Sequence, residues 1–359
     1  MTEVVIIADD LTGALDCSVV FAGNGRRVDV VTAPRHAARV LDNPADVVAV
    51  NTGSREIGAD EAGERVRAVV ETLAPLAPRF WIKKIDSRLK GHLVAETAPM
   101  LALGFDRVVA VPAIPELGRR TEGGFLSGAG VARPIAVAGR FAGLPVPVEV
   151  PDTVGDGDLD RVFSALGSGR PLFAGARGLT GALARHLAGG VPQAVPVPRL
   201  AAPLTMAIGS RDEITLRQIA RLAEGPEPVA IVGLPNGSWS AAGVADAATG
   251  TRLFQVTPGA GAEDGAVVGE RFAAGLAARL RADPPGSLLA CGGETARALI
   301  DALGIGLVEV HGEIFPGVPV CRMAIAGRTL DLVTKSGGFG GPDLLVDLVR
   351  HAGSRRTAA

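Results

Sequence analysis

The chain has 359 residues, more than one hydrophobic core usually holds, and this length predicts two domains. Hydrophobic residues make up 47%, the formal net charge is -2 and no basic block occurs, so the composition indicates a globular protein and argues against nucleic acid as a partner. The three cysteines form neither a disulfide framework nor a zinc site, and no apolar run could span a membrane. With an N-terminal strand that no signal peptide precedes, these features predict a cytoplasmic protein.

The first half of the chain alternates short apolar strands with helices. Residues 4–8 form a β-branched run that is typical of a parallel strand buried on both faces. Further strands are predicted at residues 28–32, 47–50, 107–111 and 171–174 and in the run that begins at Phe80, and helices at residues 14–22, 59–73, 93–103, 158–166 and 179–187. Thr12 is predicted to cap the first helix. Residues 131–151 have little periodicity and are predicted to be irregular or a short hairpin.

Polar residues follow four of these strands at the point where each strand ends. They lie in Asp9-Asp10, in Asn51-Thr52-Gly53-Ser54-Arg55, in the stretch from Lys83 to His92, and in residues 112–121. Because open α/β sheets bind ligands at the carboxyl ends of their strands, the pattern predicts a cleft lined with both acids and bases.

Lysine is rare in this chain, with four lysines among the 36 basic residues. Three of them, Lys83, Lys84 and Lys90, lie in one stretch, and the fourth, Lys335, lies in a glycine-rich segment. We interpret this distribution as a sign that the lysines provide compact ammonium groups that bind a carboxylate or a phosphate. The alternative is that the three clustered lysines lie on a solvated strand end. The adjacent Asp9 and Asp10 could hold hydroxyl groups, accept a proton or hold Mg²⁺, or they could merely cap a helix.

A proline-rich linker at residues 191–203 is predicted to separate an N-terminal domain, residues 1–190, from a C-terminal domain, residues 204–351, which a flexible tail at 352–359 follows. In the second domain we predict strands at residues 204–208, 229–232, 287–290 and 330–333, and helices at residues 261–281 and 343–351, from Thr215 to about Ala223 and from Thr295 to about Leu303. The fold class is α/β: two Rossmann-like domains with mainly parallel sheets and an active-site cleft between them.

Two glycine-rich loops in the second domain favour nucleotide binding. Gly292-Gly293 joins a strand to a helix, where backbone N–H groups and the helix dipole can hold phosphate, and residues 335–341 form a second loop that contains Lys335. The pattern G-x-x-x-x-G-K-[ST] does not occur, and no strand leads into G-x-G-x-x-G. ATP would therefore be held without a Walker loop, and an NAD-dependent oxidoreductase, one alternative, lacks its phosphate fingerprint.

Taken together, the motifs resemble those of the four-carbon acid sugar kinases, the family of 3-oxo-tetronate, D-threonate and D-erythronate kinases. The resemblance covers nearly the whole chain and lies in several motifs in the same order: Ala8-Asp9-Asp10-Leu11-Thr12-Gly13, Lys83-Lys84-Ile85-Asp86-Ser87, Pro112-Ala113-Ile114-Pro115-Glu116 with Gly118-Arg119, Gly209-Ser210, Gly292-Gly293-Glu294-Thr295-Ala296, Gly312-Glu313-Ile314 with Pro316-Gly317-Val318-Pro319, and Lys335-Ser336-Gly337-Gly338-Phe339-Gly340.

The resemblance implies that the first domain binds a sugar acid, that the second binds ATP, and that the γ-phosphoryl group passes to a terminal hydroxyl. It implies an acid-binding set of Asp9, Asp10, Arg55, Lys84, Asp86, Ser87 and Arg119. It implies a nucleotide set of Ser210, Gly292, Gly293, Glu294, Thr295 and Gly337. To these we add Lys335 for the nucleotide, and Arg88 and Lys90 beside Lys84 as partners of the substrate carboxylate.

For the mechanism we predict that Mg²⁺ bridges the phosphates, with its protein ligands unassigned, and that Asp10, in preference to Asp86, accepts the proton of the attacking hydroxyl. The chain departs from the family at Lys90-Gly91-His92, at Arg120 and after Gly130.

Two further functions are alternatives. A haloacid-dehalogenase-type phosphatase needs acids two residues apart, whereas Asp9 and Asp10 are adjacent. The other is a sugar-acid- or nucleotide-binding protein that has kept the fold and lost turnover. A homodimer is compatible with the sequence, and no membrane partner is expected.

Overall fold

The computed structural model describes residues 1–165, 167–191, 194–239 and 250–353. The chain divides into two compact units, Met1–Pro196 and Val197–Ala359. The predicted tail, residues 352–359, falls outside the described residues from position 354 onward, and the last helix extends to Gly353.

The described residues of the first unit form ten strands. They are β1 (Val4–Ala8), β2 (Val28–Val31), β3 (Val47–Asn51), β4 (Phe80–Lys84), β5 (Arg107–Val111), β6 (Arg119–Glu122), β7 (Phe125–Gly128), β8 (Ile135–Ala136), β9 (Val148–Glu149) and β10 (Pro171–Gly175). Seven of them form a parallel sheet in the order β2-β3-β1-β4-β10-β5-β9. All five residues of β1 are buried, as expected of a strand covered on both faces. The other three strands form a small antiparallel sheet, β6-β7-β8, so the segment predicted to be irregular contributes the short strands β8 and β9.

The helices of the first unit cover the parallel sheet. They are α1 (Leu11–Ser18), α2 (Ala59–Leu73), α3 (Leu93–Thr97), α4 (Asp156–Ser164) and α5 (Arg177–Leu187). The prediction that Thr12 caps α1 is wrong: the cap is Asp10, whose extended backbone lets Oδ1 accept the N–H of Gly13 at 2.7 Å, while Thr12 already lies inside the helix. The predicted end of the fourth helix, at residue 166, lies outside the described residues.

Two predicted helices change character part-way. After Ser18 the chain continues as a 3-10 helix, Val19–Asn24, and after Thr97 as another, Ala98–Leu103. In the second case Pro99 has no backbone N–H to continue the α-helical ladder.

In the second unit, the residues that the structure describes form a seven-stranded sheet with helices. The strands are β11 (Leu204–Ile208), β12 (Val229–Pro235), β13 (Thr251–Thr257), β14 (Ser287–Cys291), β15 (Leu307–Phe315), β16 (Val318–Ile325) and β17 (Arg328–Lys335), and the helices are α6 (Glu213–Ala223), α7 (Gly265–Ala282), α8 (Gly293–Leu303) and α9 (Leu344–Gly353). The order is β12-β13-β11-β14-β17-β16-β15; the first five strands run parallel and the last two join antiparallel. The prediction of an α/β protein with mainly parallel sheets is confirmed. Sequence reasoning missed β13, β15 and β16; the hairpin β15–β16 carries Gly312 and Pro316-Gly317, residues that indicate loops.

Candidate functional site

The register of the first sheet brings its strand ends into line. Ala8 pairs with both Asn51 and Lys84, and Gly175 pairs with Lys84 and with Val111. The loops that follow β1, β3, β4 and β5 therefore leave one edge of the sheet, as predicted from the polar residues at the strand ends.

An acid–base cluster, made of Asp9, Asp10, Arg55 and Lys84, lies at this edge. Arg55 donates from Nε and Nη2 to the two carboxylate oxygens of Asp9, at 2.8 and 2.9 Å, and from Nη1 to Oδ2 of Asp10 at 2.6 Å. The ammonium of Lys84 lies 3.8 Å from Oδ1 of Asp9 and 3.9 Å from Oδ1 of Asp10. Two acids and two bases thus neutralise one another in a fixed arrangement.

The cluster keeps its charges despite burial. Burial raises the pKa of Asp9, but Lys84, Lys83 and Arg55 outweigh it and lower that pKa from 3.8 to about 2. Burial likewise lowers the pKa of Lys84, yet Asp10 and Asp9 raise it above the ordinary value. For Arg55, burial is again outweighed by Asp10 and Asp9, so its pKa is raised. Asp9, Arg55 and Lys84 are therefore ionised at neutral pH.

A second group of predicted site residues, the arginine subsite, comprises Ser87, Arg88 and Arg119. Arg119 donates from Nη1 to the hydroxyl of Ser87 at 2.8 Å and from Nε to the carbonyl of Ala129 at 2.8 Å. Burial and the neighbouring Arg88 lower the pKa of Arg119, and Asp86 partly opposes them. Within the part of the chain that the structure describes, neither arginine forms an ion pair, and both guanidinium groups lie beside Gly130, with Asp86 the carboxylate that acts on Arg119.

Asp86 and Lys90 lie on the loop that carries this subsite. Oδ1 of Asp86 accepts the backbone N–H of Arg88 at 2.9 Å and that of Lys90 at 3.4 Å, which fixes the turn after β4. The side chain of Lys90 is exposed. His92, in the stretch where the chain departs from the motifs it resembles, forms a hydrogen bond from Nε2 to the carbonyl of Ile57 at 2.7 Å.

The lysines of β4 serve different surroundings. Lys84 joins the acid–base cluster, whereas Lys83 is fully buried and lies 2.8 Å from Oε2 of Glu96, on α3. Sequence reasoning had not singled out Glu96; its signal was a carboxylate in a short helix whose neighbours are apolar.

In the second unit, three neighbouring parallel strands carry the predicted nucleotide residues. Ile208 pairs with Cys291, and Cys291 with Lys335, so the loops beginning at Gly209, Gly292 and Ser336 leave the same edge. These loops approach one another too closely for larger side chains. A Cβ on Gly337 would lie 3.1 Å from the Cβ of Ser210 and still closer to its hydroxyl, and one on Gly209 would meet the hydroxyl of Thr295.

Gly292 needs glycine for a further reason, because its φ is +104° where it precedes α8. Its N–H donates to the carbonyl of Lys335 at 2.8 Å, which ties the loop after β14 to the loop after β17. No side chain caps the first turn of α8, so N–H groups there remain available to an anion. Glu294, in this turn, is exposed and pairs with Arg297 at 3.0 Å.

Lys335 supports the glycine-rich loop from inside. It is 1% exposed, and its ammonium donates to the carbonyls of Ser336 and Gly337 at 3.0 and 3.2 Å and to the hydroxyl of Thr215 at 3.1 Å. The hydroxyl of Thr215 in turn donates to the carbonyl of Gly337 at 2.6 Å. Because its ammonium is hydrogen-bonded to carbonyl groups of the loop after β17, Lys335 would contribute to a nucleotide site by fixing this loop.

Other supporting residues were not foreseen from the sequence. Gln218 donates from Nε2 to the carbonyls of Phe339 and Gly341 at 3.1 and 2.8 Å. Gly317 lies so close to the ring of Phe339 that an added Cβ would be 2.7 Å from Cζ, so the β15–β16 turn packs against the same loop. The sequence features that could have indicated these contacts are a glutamine on the apolar face of α6 and a single aromatic residue among glycines.

The donor set for a metal ion is sparse. Across the described ranges, no group of three or more His, Cys, Asp or Glu residues could hold a metal ion. No helix in the described part of the chain is long and apolar enough to cross a membrane.

Two family models match the chain. A sugar-binding N-terminal domain matches residues 4–138, and a nucleotide-binding C-terminal domain matches residues 240–345. The first match contains the acid–base cluster and the arginine subsite, and the second contains the loops after β14 and β17.

Curated relatives match over nearly the full length. The chain is 33% identical to a D-threonate kinase of Cupriavidus necator, over 93% of this chain and 94% of the relative. It is 32% identical to a D-threonate kinase of Bordetella bronchiseptica, over 98% of both chains. It is 29% identical to a 3-oxo-tetronate kinase of Cupriavidus necator, over 97% of this chain and 96% of that one.

Solved structures share the fold. A Haemophilus influenzae protein superposes with a TM-score of 0.73 at 21% identity, covering 97% of this chain and 99% of its own. The sequence resemblance inferred from the motifs is thus confirmed by the family models and by the full-length relatives. The chain belongs to the four-carbon acid sugar kinases, a family of ATP-dependent phosphotransferases that act on an alcohol group.

Proposed function

We propose that the protein phosphorylates the terminal hydroxyl of a four-carbon sugar acid, such as 3-oxo-tetronate, D-threonate or D-erythronate, at the expense of ATP. The observation that carries the proposal is the arginine subsite, where two neighbouring guanidinium groups form no ion pair with the described residues. It is supported by the names of the full-length relatives, which include D-threonate and 3-oxo-tetronate kinases.

The carboxylate of the acid is assigned to Arg88 and Arg119, with the hydroxyl of Ser87 beside them. A guanidinium binds a carboxylate through two parallel hydrogen bonds, and an anion between two cations relieves their repulsion. Lys84 is a poorer partner because it is buried and already lies against two carboxylates. Lys90 adds positive charge to the same loop.

The hydroxyl groups of the acid are assigned to the acid–base cluster. Asp10 is the more exposed of the two acids, with 24% of its side chain accessible against 3% for Asp9. Carboxylate oxygens accept hydrogen bonds from hydroxyl groups, and Arg55 and Lys84 hold these oxygens in place.

Two carboxylates compete for the role of general base. Asp10 was favoured from the sequence, but its oxygens accept hydrogen bonds from Gly13, Thr12 and Arg55. Asp86 uses Oδ1 for its turn and keeps Oδ2 free of hydrogen bonds to the described residues. A base needs an oxygen that can receive the proton, so we now favour Asp86. A turnover number for Asp86→Asn close to wild type, with Asp10→Asn inactive, would return the role to Asp10.

The nucleotide is assigned to the second unit, with the phosphates at the N–H groups of Gly292-Gly293 and α8 and between Ser210 and Gly337. When bound with the nucleotide, Mg²⁺ would supply positive charge against the negative charge that develops during phosphoryl transfer. Phosphoryl transfer requires the attacking hydroxyl and the γ-phosphoryl group to be in line.

The test is a panel of D-threonate, D-erythronate and 3-oxo-tetronate incubated with Mg-ATP, with ADP release as the readout. ADP that appears only with one or more acids supports the proposal. Acid binding in calorimetry without ADP release would favour the alternative of a binding protein, and neither binding nor release would overturn both.

Matched variants of β6 test the carboxylate assignment. Arg119→Gln is expected to raise KM for the acid by about tenfold or more, because a charge-assisted hydrogen bond is lost. Arg120→Gln is the control: Arg120 is exposed on the same strand, its side chain alternates to the other face, and KM is expected to stay within about twofold. Equal KM values for the two variants would remove Arg119 from carboxylate binding.

A further inference from the structure

A chain of buried polar side chains connects three elements of the first unit. It consists of Lys83 on β4, Glu96 on α3, and Ser54 and Thr52 in the loop after β3, and we call it the buried polar chain. Glu96 lies 2.8 Å from the ammonium of Lys83 through Oε2 and accepts the hydroxyl of Ser54 at 2.6 Å through Oε1. The hydroxyls of Ser54 and Thr52 are 2.7 Å apart. The four residues are at most 2% exposed, so none of them can contact a substrate.

Each end of the buried polar chain is hydrogen-bonded to a backbone carbonyl group of a residue in the acid–base cluster or next to it. Lys83 donates to the carbonyl of Lys84 at 2.7 Å. The N–H of Ser54 donates to the carbonyl of Asp9 at 3.0 Å, and the hydroxyl of Thr52 donates to the carbonyl of Ala8 at 2.9 Å. In the sequence, Lys83 directly precedes Lys84 and Ser54 directly precedes Arg55, and both of these following residues belong to the acid–base cluster.

Stability alone is a weak reason for such an arrangement. A buried ion pair gains little over well-packed apolar side chains of the same volume, because both charges must leave water. The carboxylate of Glu96 interacts with side chains from both β4 and the loop after β3, which an apolar side chain could not do in the same way. It fixes the distance between two separate backbone segments by directional hydrogen bonds.

We propose that Lys83, Glu96 and Ser54 are positioning residues, which hold Arg55 against Asp9 and Lys84 beside them so that the acid–base cluster is formed before the sugar acid binds. This inference rests on the proposed function, since it assigns the cluster to the hydroxyl groups of the acid. Pre-organisation of this kind lowers the entropy lost on binding, and its removal weakens binding of the acid and leaves ATP binding unchanged.

Two variants separate positioning from stability. Ser54→Ala keeps the ion pair and removes only the bond from the loop to Glu96. The double variant Lys83→Met/Glu96→Leu replaces the ion pair by apolar side chains, so it avoids the unpaired charge that either single change leaves. Lys335→Met, which removes the buried lysine of the second unit, is the matched control.

The readouts are KM for the acid that wild type phosphorylates fastest, KM for ATP, and Tm. We expect KM for the acid to rise about tenfold in Ser54→Ala and in the double variant, with KM for ATP within about twofold. The double variant is expected to melt closer to wild type than Lys83→Met does. Lys335→Met is expected to raise KM for ATP and not KM for the acid.

Unchanged KM for the acid in Ser54→Ala and the double variant overturns the inference, as does an equal rise in Lys335→Met, which would indicate general loosening. Should wild type release no ADP with any acid, the proposed function falls, and a crystal structure of the double variant decides the positioning role. Arg55 displaced from Asp9 supports it, and a retained Nε–Oδ2 distance of 2.8 Å overturns it.

Discussion

Asp9 shows how much of the site depends on the surroundings of one side chain. It is 2% exposed, yet Lys84, Lys83 and Arg55 keep its pKa at about 2 despite the opposing effect of burial. The carboxylate that we propose for the binding of substrate hydroxyl groups therefore also contributes to the stability of the folded chain.

The pH dependence of stability tests this charge balance. Because the pKa of Asp9 is lower in the folded chain than the ordinary 3.8, its contribution is complete above about pH 4 and is lost as the pH falls toward about 2. The difference in unfolding free energy between wild type and Asp9→Asn should shrink by about 2 kcal/mol between pH 6 and pH 2. Urea titrations at several pH values measure it.

Asp331 is the contrasting case. Burial raises its pKa, and Arg322 and His311 only partly oppose the rise, so the ionised carboxylate costs stability at neutral pH. Asp331→Asn should therefore stabilise the chain near pH 7, with a gain that fades as the pH falls. If the change in unfolding free energy caused by Asp331→Asn depended on pH in the same way as that caused by Asp9→Asn, the causes assigned to the two pKa shifts would be contradicted.

Gly13 is predicted to be required next to Lys84. A Cβ at this position would lie 2.5 Å from Nζ and 2.6 Å from Cε of Lys84 and would also meet Oδ1 of Asp10. Gly13→Ala should displace the ammonium, lower stability by about 1–3 kcal/mol and raise KM for the acid. Gly58→Ala is the control, since it has no atom within 4 Å of an added Cβ. Melting curves and acid titrations compare the two, and similar values would exclude a steric role for Gly13.

At the scale of elements, adjacent strand ends determine what each unit can bind. In the second unit the loops after β11, β14 and β17 interlock through glycines, a buried lysine and the side chains of α6. Such a loop presents backbone N–H groups in fixed positions, which is what a polyphosphate requires.

Gly337→Ala tests the interlocking of these loops. The added methyl group would collide with the hydroxyl of Ser210 and push the loop after β17 away from the loop after β11. KM for ATP should rise about tenfold while KM for the acid is unchanged. Gly341→Ala, in the same segment, has open space around the new Cβ and should behave as wild type. A shared rise in both variants would mean that the segment as a whole, and not the contact with Ser210, had been disturbed.

At the scale of the whole molecule, each unit is compact and contains one of the two predicted sites. We predict that hydrogen exchange in the full chain separates them. A non-hydrolysable ATP analogue should protect residues 209–211, 292–296 and 336–339, and the acid alone should protect residues 9–13, 54–56 and 86–90, because each ligand orders the loops it contacts. Protection of the first unit by the analogue alone would contradict the assignment.

The sequence by itself determined the fold class, because apolar runs, glycine turns and helical periodicity are local patterns that predict their own structure. It also determined the family, through motifs such as Asp9-Asp10 and Gly292-Gly293 that recur in order. The segment around Val131 was harder to predict, because its short strands gain their pairing from partners elsewhere in the chain.

Only the tertiary structure decided which polar residues face one another. Lys83 and Lys84 are adjacent in sequence, but they serve a buried ion pair and the acid–base cluster respectively, because successive side chains of a strand point to opposite faces. The cap of α1 is Asp10 and not the predicted Thr12. The ammonium of Lys335 faces carbonyl groups of its own loop. The partners in these contacts are distant along the chain, and it is folding that brings them within hydrogen-bond distance.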